Sequence, residues 1–167
     1  MGHLEHKATA PSQIRCYVLT ISDTRTADND TGGGAIADLL TAEGHVIAGR
    51  RIVMDEPELV RASVNEQLLN PDVQAIITTG GTGISSRDRT LEALETLFEK
   101  RLHGFGELFR MLSYQDIGPS AMLSRACAGT ARGKVIISLP GSERAVRLAM
   151  TKLILPELGH LVREISR

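Results

Sequence analysis

Short apolar runs rich in β-branched residues alternate along the chain with segments in which apolar side chains recur every three or four positions. Such runs predict strands, and such spacing predicts amphipathic helices. The runs predict strands at residues 15–21, 46–53, 73–79 and 135–139. The periodic segments predict helices at residues 35–43, 57–70, 91–102 and 142–154, one or two shorter helices within 105–129, and a last helix after Pro156.

This alternation determines the fold class that we expect. Parallel strands need a crossover of a dozen or more residues, and helices of the predicted length supply it. Residues 76–77 and 135–137 are apolar without interruption, as in strands covered on both faces. We therefore predict an α/β protein with a three-layer, doubly wound, mostly parallel sheet. Residues 1–13 are polar and include Pro11, so we expect a flexible N-terminal leader before a single domain at residues 14–167.

The composition excludes several classes of partner. The chain has 167 residues, a formal net charge of −1 and a pI of about 6.5, so no positive field attracts nucleic acid or an anionic membrane. No apolar run approaches the roughly 18 residues of a membrane span, and the N-terminus lacks the apolar core of a secretory signal. Cys16 and Cys127 lie far apart in apolar contexts. We expect buried reduced thiols and a cytoplasmic protein.

Polar residues and glycines follow each of the four predicted strands. In open α/β sheets, ligands bind beyond the carboxyl ends of the strands. The residues at these ends are Ser22 and Asp23, then Asp55, then Gly80, Gly81, Thr82 and Gly83, and finally Ser142. One unusual loop could arise by chance, but four at one edge are harder to explain in that way. The sequence therefore predicts a ligand site at this edge.

The loop after the third strand is rich in glycine. Three glycines in four residues, at 80–83, let backbone N–H groups approach a ligand closely and form an anion-binding nest. The alternative is a tight turn that needs a positive φ angle. A P-loop is excluded because residues 73–99 contain no lysine, and the dinucleotide fingerprint is excluded because Ser86 stands where it needs glycine. We expect a phosphate-binding or heterocycle-binding loop of another type.

Two carboxylates accompany this loop. Asp88 follows the glycines, and Asp55 follows a different strand. Both could simply cap helices. Together, however, they suit Mg²⁺, which prefers one or two carboxylates plus substrate phosphates and waters. Ser142 could provide an anion site at a helix N-terminus or only a helix cap.

The arginines and histidines indicate which kinds of catalytic site the sequence can form. Arg87 and Arg89 could contact phosphate or could be solvated surface residues. The five histidines show no metal-ligand spacing, and none falls in these loops. Zinc catalysis and a Ser–His–Asp triad therefore lack their parts.

The combination of motifs resembles the MoaB/Mog family of molybdenum cofactor biosynthesis proteins. The run Thr79-Gly80-Gly81-Thr82-Gly83, followed by Arg87-Asp88 and Thr90, is similar to the motif that defines the family. Other matching segments, in family order, are Ile21-Ser22-Asp23 with Asp30 and Gly32, Asp55-Glu56, Gly104-Phe105-Gly106-Glu107, Ser124-Arg125 and Leu139-Pro140-Gly141-Ser142. Residues 108–118 and 124–129 resemble the MoaB branch more than the Mog branch.

The resemblance implies a function. Members of the family bind molybdopterin, and the active ones transfer AMP from Mg·ATP to its terminal phosphate, releasing pyrophosphate. The implied catalytic and magnesium-binding carboxylates are Asp88 and Asp55. The implied ligand-binding residues are Ser22, Asp23, Gly80, Gly81, Thr82, Gly83 and Ser142, the last on the pterin side.

The resemblance also implies partners. The family assembles as trimers, or as hexamers in the MoaB branch, and its product passes to a downstream molybdate-insertion protein. Two alternatives to the adenylyltransferase stay open. The first is a non-catalytic molybdopterin-binding or scaffold protein of the MoaB branch. The second is another nucleotide-binding α/β enzyme whose glycine loop only resembles that of the family.

Overall fold

The computed structural model describes residues 10–167, so residues 1–9 of the predicted leader lie outside the described part. The strands are β1 (Arg15–Ile21), β2 (Val46–Val53), β3 (Ala75–Thr79), β4 (Lys100–Arg101), β5 (Cys127–Ala131) and β6 (Lys134–Leu139). The helices are α1 (Thr31–Ala42), α2 (Pro57–Leu69), α3 (Thr90–Glu95), α4 (His103–Ile117), α5 (Glu143–Ala149) and α6 (Leu155–Ile165). A 3₁₀ segment (Gly118–Leu123) follows α4, and a π-helical turn (Met150–Ile154) joins α5 to α6.

The six strands form one sheet in the order β2-β1-β3-β6-β5-β4. The first four are mutually parallel, and β5 and β4 add an antiparallel edge. Helices cover both faces, which confirms the predicted three-layer, mostly parallel α/β fold. Within the part of the chain described, no helix is both long and apolar enough to cross a membrane.

A separate hydrophobic core fills each face of the sheet. On one face, strand residues pack against α1, α4, α5 and α6, with Ile36, Phe109 and Met150 fully buried. On the other face, they pack against α2 and α3 through Val60, Val64 and Leu94. Each such side chain stabilises the fold by about 1.5–3 kcal/mol relative to an exposed one. The two cores hold β1, β3 and β6 rigidly, and their carboxyl ends form the edge on which the loops of interest lie.

Helix α1 begins earlier than the sequence predicts. It includes Gly32, Gly33 and Gly34, which read as a loop, because the side chain of Asp30 caps it by accepting a hydrogen bond from the Gly33 N–H at 3.0 Å. Its end agrees with the prediction, since Gly44 adopts a φ of +83° directly after it.

The predicted helix at 91–102 is wrong in its second half. Helix α3 ends at Glu95, and Lys100–Arg101 forms the short edge strand β4. The Glu99 N–H donates to the Thr130 carbonyl at 2.8 Å, so backbone pairing with β5 replaces the helical bonds. Leu94 and Phe98 still face the core, which is why the apolar spacing looked helical.

The predicted helices within 105–129 are wrong at their C-terminal end. Helix α4 is present, but residues 127–131 form strand β5, which makes a hairpin with β6. The turn uses Arg132 and Gly133 at positive φ angles of 50° and 72°. Strand β5 has the sequence CAGTA, whose small residues carry little strand signal. Gly129 is required there, because a Cβ would lie 2.4 Å from the Phe98 ring.

Pro156 does not separate two helices as predicted. The helical run continues from α5 through the π turn into α6. The π turn lies immediately before Pro156, whose ring and missing N–H do not fit the interior of a regular α-helix.

Candidate active site at the carboxyl edge of the sheet

A crevice of about 290 Å³ opens where β1, β2, β3 and β6 end. All four predicted strand ends contribute to its lining, through Ser22, Asp23, Asp55, Gly80, Gly81 and Gly141. Thr20, Asp30 and Gly32 complete the wall on the side of α1. The predicted convergence of four loops at one edge is therefore what the structure shows.

Not every residue assigned to the site lines this crevice. Thr82 is buried, and neither Gly83 nor Asp88 is among the residues that line the crevice. Ser142 caps α5 by accepting a hydrogen bond from the Ala145 N–H at 3.2 Å. That bond is the capping role which the sequence left open as the alternative for Ser142.

Gly80 and Gly81 shape the floor of the crevice. Their φ angles are +99° and +67°, a region that L side chains rarely adopt. A Cβ at Gly80 would lie 2.2 Å from the Ile21 carbonyl oxygen, and one at Gly81 would lie 2.0 Å from Thr90 Oγ1. Both glycines are therefore needed for the turn and for the close approach of neighbouring elements.

Gly83 permits a different contact. A Cβ there would lie 2.5 Å from Oδ2 of Asp88, so the carboxylate occupies the space that a side chain would fill. The last glycine of the loop thus makes room for the Asp88 carboxylate of the same loop.

Asp55 is held in a defined orientation among other acids. Its backbone N–H donates to Asp23 Oδ1 at 3.0 Å, and Thr90 Oγ1 donates to its Oδ1 at 3.3 Å. Burial raises the pKa of Asp55, and the negative charges of Asp88 and Asp23 raise it further. The hydrogen bond from Thr90 and the charge of Arg87 oppose this effect in part, and a bound cation would favour the charged form of Asp55 further.

Asp88 is ionised more readily than an ordinary aspartate. Its Oδ2 accepts hydrogen bonds from the Ser85 hydroxyl at 2.6 Å and from the Ser85 N–H at 3.0 Å. The Ser85 side chain is the main cause that lowers the pKa of Asp88, and the N–H of Gly83 contributes. Neither Asp88 nor Asp55 forms an ion pair with a described residue within 4 Å, so both remain able to bind a cation.

Arg87 connects two of the loops. Its guanidinium donates to Asp23 Oδ2 at 2.7 Å and lies 3.7 Å from Glu56. Since Asp23 also binds the Asp55 backbone, Arg87 links the Gly-rich loop to the ends of β1 and β2. Arg89 occupies the exposed N-cap position of α3 without a side-chain cap bond.

Two residues of the site have roles that the sequence did not reveal. Asp30 appeared only as a match to the family, yet it is buried and accepts hydrogen bonds from Thr20 Oγ1 at 2.7 Å and Arg50 at 2.8 Å. Arg125 also appeared only in a matching segment, yet it donates to backbone carbonyls of the Gly-rich loop. Their partners are too far away in sequence for any spacing signal to show them.

The chain matches the family model described as a probable molybdopterin binding domain over residues 17–160. Molybdenum cofactor biosynthesis protein B of Bacillus cereus is 51% identical to it over 168 residues, covering 100% of this chain and 99% of the relative. A crystal structure of a molybdenum cofactor biosynthesis protein B superposes with a TM-score of 0.91 at 51% identity, covering 94% of this chain and 98% of that one. The tungsten cofactor synthesizing protein MoaB from Pyrococcus furiosus superposes with a TM-score of 0.84 at 34% identity, covering 95% of this chain and 100% of that one. The fold, the arrangement of the four loops and these similarities agree, and the chain belongs to the MoaB/Mog family of molybdenum cofactor biosynthesis proteins, on its MoaB side.

Proposed function

We propose that this protein adenylylates molybdopterin: the terminal phosphate of the pterin receives AMP from Mg·ATP, and pyrophosphate leaves. The observation that carries the proposal is that both carboxylates lie against the Gly-rich loop: Asp55 Oδ1 is 3.0 Å from the position of a Cβ at Gly81, and Asp88 Oδ2 is 2.5 Å from that of a Cβ at Gly83. Membership of the family supports molybdopterin as the substrate class and molybdenum cofactor biosynthesis as the process.

The reaction exchanges one P–O bond for another. A phosphate oxygen of the pterin bonds to the α-phosphorus of ATP while the bond from that phosphorus to its β-bridging oxygen breaks, and pyrophosphate takes the electron pair. No protein nucleophile is needed, so catalysis consists of positioning and charge neutralisation. Burial raises the pKa of Cys16 and of Cys127 to about 12, so neither is a thiolate at neutral pH.

The carboxylates fit magnesium. Bound Mg²⁺ would neutralise the charge of the triphosphate. Residues 10–167 contain no cluster of three or more His, Cys, Asp or Glu placed to hold a metal ion. Two carboxylates, those of Asp55 and Asp88, would be enough, because Mg²⁺ usually keeps waters and substrate phosphates as its other ligands. Thr90 and Asp23 hold Asp55 in place for this role.

The remaining assigned residues would bind the substrates. Of the four loop residues, Gly81 and Thr82 have the N–H groups that are the candidates for contacting phosphate oxygens. The Gly80 N–H donates to the Leu139 carbonyl oxygen at 3.0 Å, and the Gly83 N–H faces the Asp88 carboxylate. Ser22 and Asp23 line the crevice directly, and Ser142 lies at the start of α5 on the β6 side.

The test compares Asp88→Asn with Asp72→Asn, an exposed aspartate outside the site. We expect the first to lower kcat for AMP transfer by at least about 100-fold, the size of effect seen when one well-placed electrostatic group is lost. Pterin binding and the folded state should be retained, since Asp88 is only half-buried. Equal turnover in the two variants would refute the assignment.

A non-catalytic pterin-binding or scaffold role is the second candidate. The observation that favours it is the position of Asp88 outside the 290 Å³ crevice. Under this alternative molybdopterin raises the unfolding temperature, but Mg·ATP does not, and no AMP is transferred. A ligand that binds the native state must raise that temperature, so a thermal shift with Mg·ATP separates the two candidates.

We also propose that the protein assembles as a homotrimer or homohexamer. Helix α4 and the following 3₁₀ segment expose a row of apolar side chains: Leu108, Met111, Tyr114, Ile117, Met122 and Leu123. A contiguous exposed patch of this kind is typical of an interaction surface. Light scattering should give three or six times the chain mass of 18.0 kDa, and Met111→Glu should lower it. A monomeric wild-type protein would contradict the proposal.

Three finer assignments rest on the sequence and stay predictions. They are the molybdopterin-binding domain at residues 14–167, a cytoplasmic location, and delivery of the product to a molybdate-insertion protein. The first exceeds the matched span of residues 17–160 at both ends.

A further inference from the structure

We propose that Arg125 is a positioning residue, which fixes the peptide planes of the Gly-rich loop so that the Gly83 N–H faces the Asp88 carboxylate. Its importance for turnover rests on the proposed function, but the positioning itself can be tested without turnover. Arg125 precedes β5, far along the chain from the loop that it contacts.

The guanidinium of Arg125 contacts the loop through several hydrogen bonds. Nε donates to the carbonyl oxygens of Thr82 and Gly83, each at 3.1 Å. Nη2 donates to the carbonyl oxygen of Gly83 at 2.7 Å and to that of Asp88 at 3.0 Å. One planar group therefore holds both ends of the segment 82–88 at once, a geometry that the compact ammonium of lysine cannot reproduce.

These bonds orient the amides on the other side of each peptide plane. In a trans peptide, the carbonyl of one residue and the N–H of the next point in opposite directions. With the Thr82 carbonyl directed at Arg125, the N–H of Gly83 points away from Arg125. The Asp88 carboxylate lies against Gly83, with Oδ2 2.5 Å and Oδ1 3.2 Å from the position of a Cβ there, and the Gly83 N–H is one of the groups that stabilise it.

Within residues 10–167, no other hydrogen bond holds the carbonyl groups of Thr82 and Gly83. The carbonyls of Thr82 and Gly83 accept hydrogen bonds from Arg125 alone. The loop's other backbone bonds to the fold lie at its ends, from the Gly80 N–H to Leu139 and from the Thr90 N–H to Gly81. Only 30% of the Arg125 side chain is exposed, so water competes weakly for these bonds.

Arg125 forms an ion pair with helix α3, and a second arginine forms a similar ion pair with the same helix. Its Nη1 lies 2.5 Å from Glu92 of α3, and Arg101 of β4 lies 2.9 Å from Glu95 of the same helix. Both arginines also line a second hollow, of about 270 Å³, between α3, α4 and β5. Only Arg125 reaches the loop, so Arg101→Ala is a matched control for loss of an arginine–glutamate pair.

The experiment measures the loop directly, by amide hydrogen exchange at residues 82–88 in wild type, Arg125→Ala, Arg125→Lys and Arg101→Ala. We expect at least tenfold faster exchange in Arg125→Ala, an intermediate effect in Arg125→Lys, and wild-type rates in Arg101→Ala.

Turnover supplies the second measurement. We expect kcat of Arg125→Ala to fall about 10- to 100-fold with KM for the pterin nearly unchanged, since a displaced group costs rate rather than binding. Added guanidinium should restore part of kcat in Arg125→Ala and none in Asp88→Asn. A merely structural role would not give this selective rescue.

The outcomes separate this inference from the proposed function. If the wild type transfers no AMP, the proposed function fails, while hydrogen exchange still tests Arg125. If the exchange rates and kcat of Arg125→Ala match those of Arg101→Ala, the inference is overturned. If Arg125→Ala does not fold, the same comparison is made with Arg125→Lys, for which wild-type values in every measurement would also overturn it.

Discussion

Replacing Asp30 by alanine removes a buried carboxylate that serves three neighbours. Asp30 caps α1 through the Gly33 N–H at 3.0 Å and accepts from Thr20 Oγ1 at 2.7 Å and Arg50 Nη2 at 2.8 Å. Its side chain is only 2% exposed, whereas that of Arg50 is 34% exposed. The carboxylate thus ties α1, β1 and β2 together behind the crevice.

The magnitude follows from these contacts. Loss of an N-cap costs about 1 kcal/mol. Loss of a buried hydrogen bond to a charged group costs about 1.5–3 kcal/mol. We count only part of the hydrogen bond from Arg50, because its guanidinium is partly exposed and water can replace the lost contact. We therefore expect Asp30→Ala to lower the free energy of unfolding by about 2–4 kcal/mol, which is a large part of the stability of an ordinary domain.

The assay is urea unfolding followed by circular dichroism, with Asp38→Ala as the control. Asp38 lies on the same helix but is exposed. Asp30→Ala should lower the urea midpoint and leave the slope m unchanged, while Asp38→Ala should keep the midpoint of the wild type. A midpoint for Asp30→Ala equal to that of the control would refute the reasoning.

The pH dependence gives a second check on Asp30. Burial tends to raise its pKa, but the hydrogen bonds from Arg50, Thr20 and Gly33 outweigh burial and hold the pKa below its ordinary value. A lowered pKa contributes stability above the unfolded value of 3.8 and loses it as pH falls through the folded value. The difference between wild type and Asp30→Ala should therefore be largest at neutral pH and should shrink in acid.

Two further substitutions test the crevice. Gly81→Ala should destabilise the fold by about 2 kcal/mol or more, because φ is positive there and Thr90 must move. Gly104→Ala is the control and should not destabilise it, because a Cβ at Gly104 meets open space. Thermal unfolding of both variants checks this. Asp55→Asn should raise the unfolding temperature at pH 7, because the raised pKa of Asp55 means that its stability contribution is lost as pH rises through the folded value. The gain should vanish below the ordinary aspartate pKa. An unchanged unfolding temperature at pH 7 would show that burial and the neighbouring carboxylates do not disfavour the charged form of Asp55.

The sequence predicts the parallel half of the fold because its strands are apolar on both faces and its crossovers are regular helices. Strand β1 has the predicted bounds of 15–21, and the ends of four strands meet at one crevice as expected. The antiparallel edge is different. Strand β5 is built from small residues whose preference for a strand comes from packing, as where the Phe98 ring covers Gly129.

The candidate site divides in a similar way. Its local parts, such as the glycine turn and Asp88, are visible in the sequence because they lie together in one segment. Its long-range parts are not, since the bonds of Arg125 to Thr82 and of Arg50 to Asp30 exist only in the folded chain. Apart from the match of Ser124-Arg125 to the family, nothing in the residue pattern around Arg125 distinguishes it from a solvated surface arginine.

The order of the strands decides when during folding the crevice can form. The β5–β6 hairpin is local, but Ala75 of β3 pairs with Val135 of β6 only after α3, α4 and that hairpin have been brought round. Such a long loop closure is slow compared with formation of a hairpin or helix. Because the walls of the crevice come from both β3 and β6, a ligand bound there marks chains in which the four parallel strands have paired. It would distinguish finished molecules from partly folded ones in a refolding mixture.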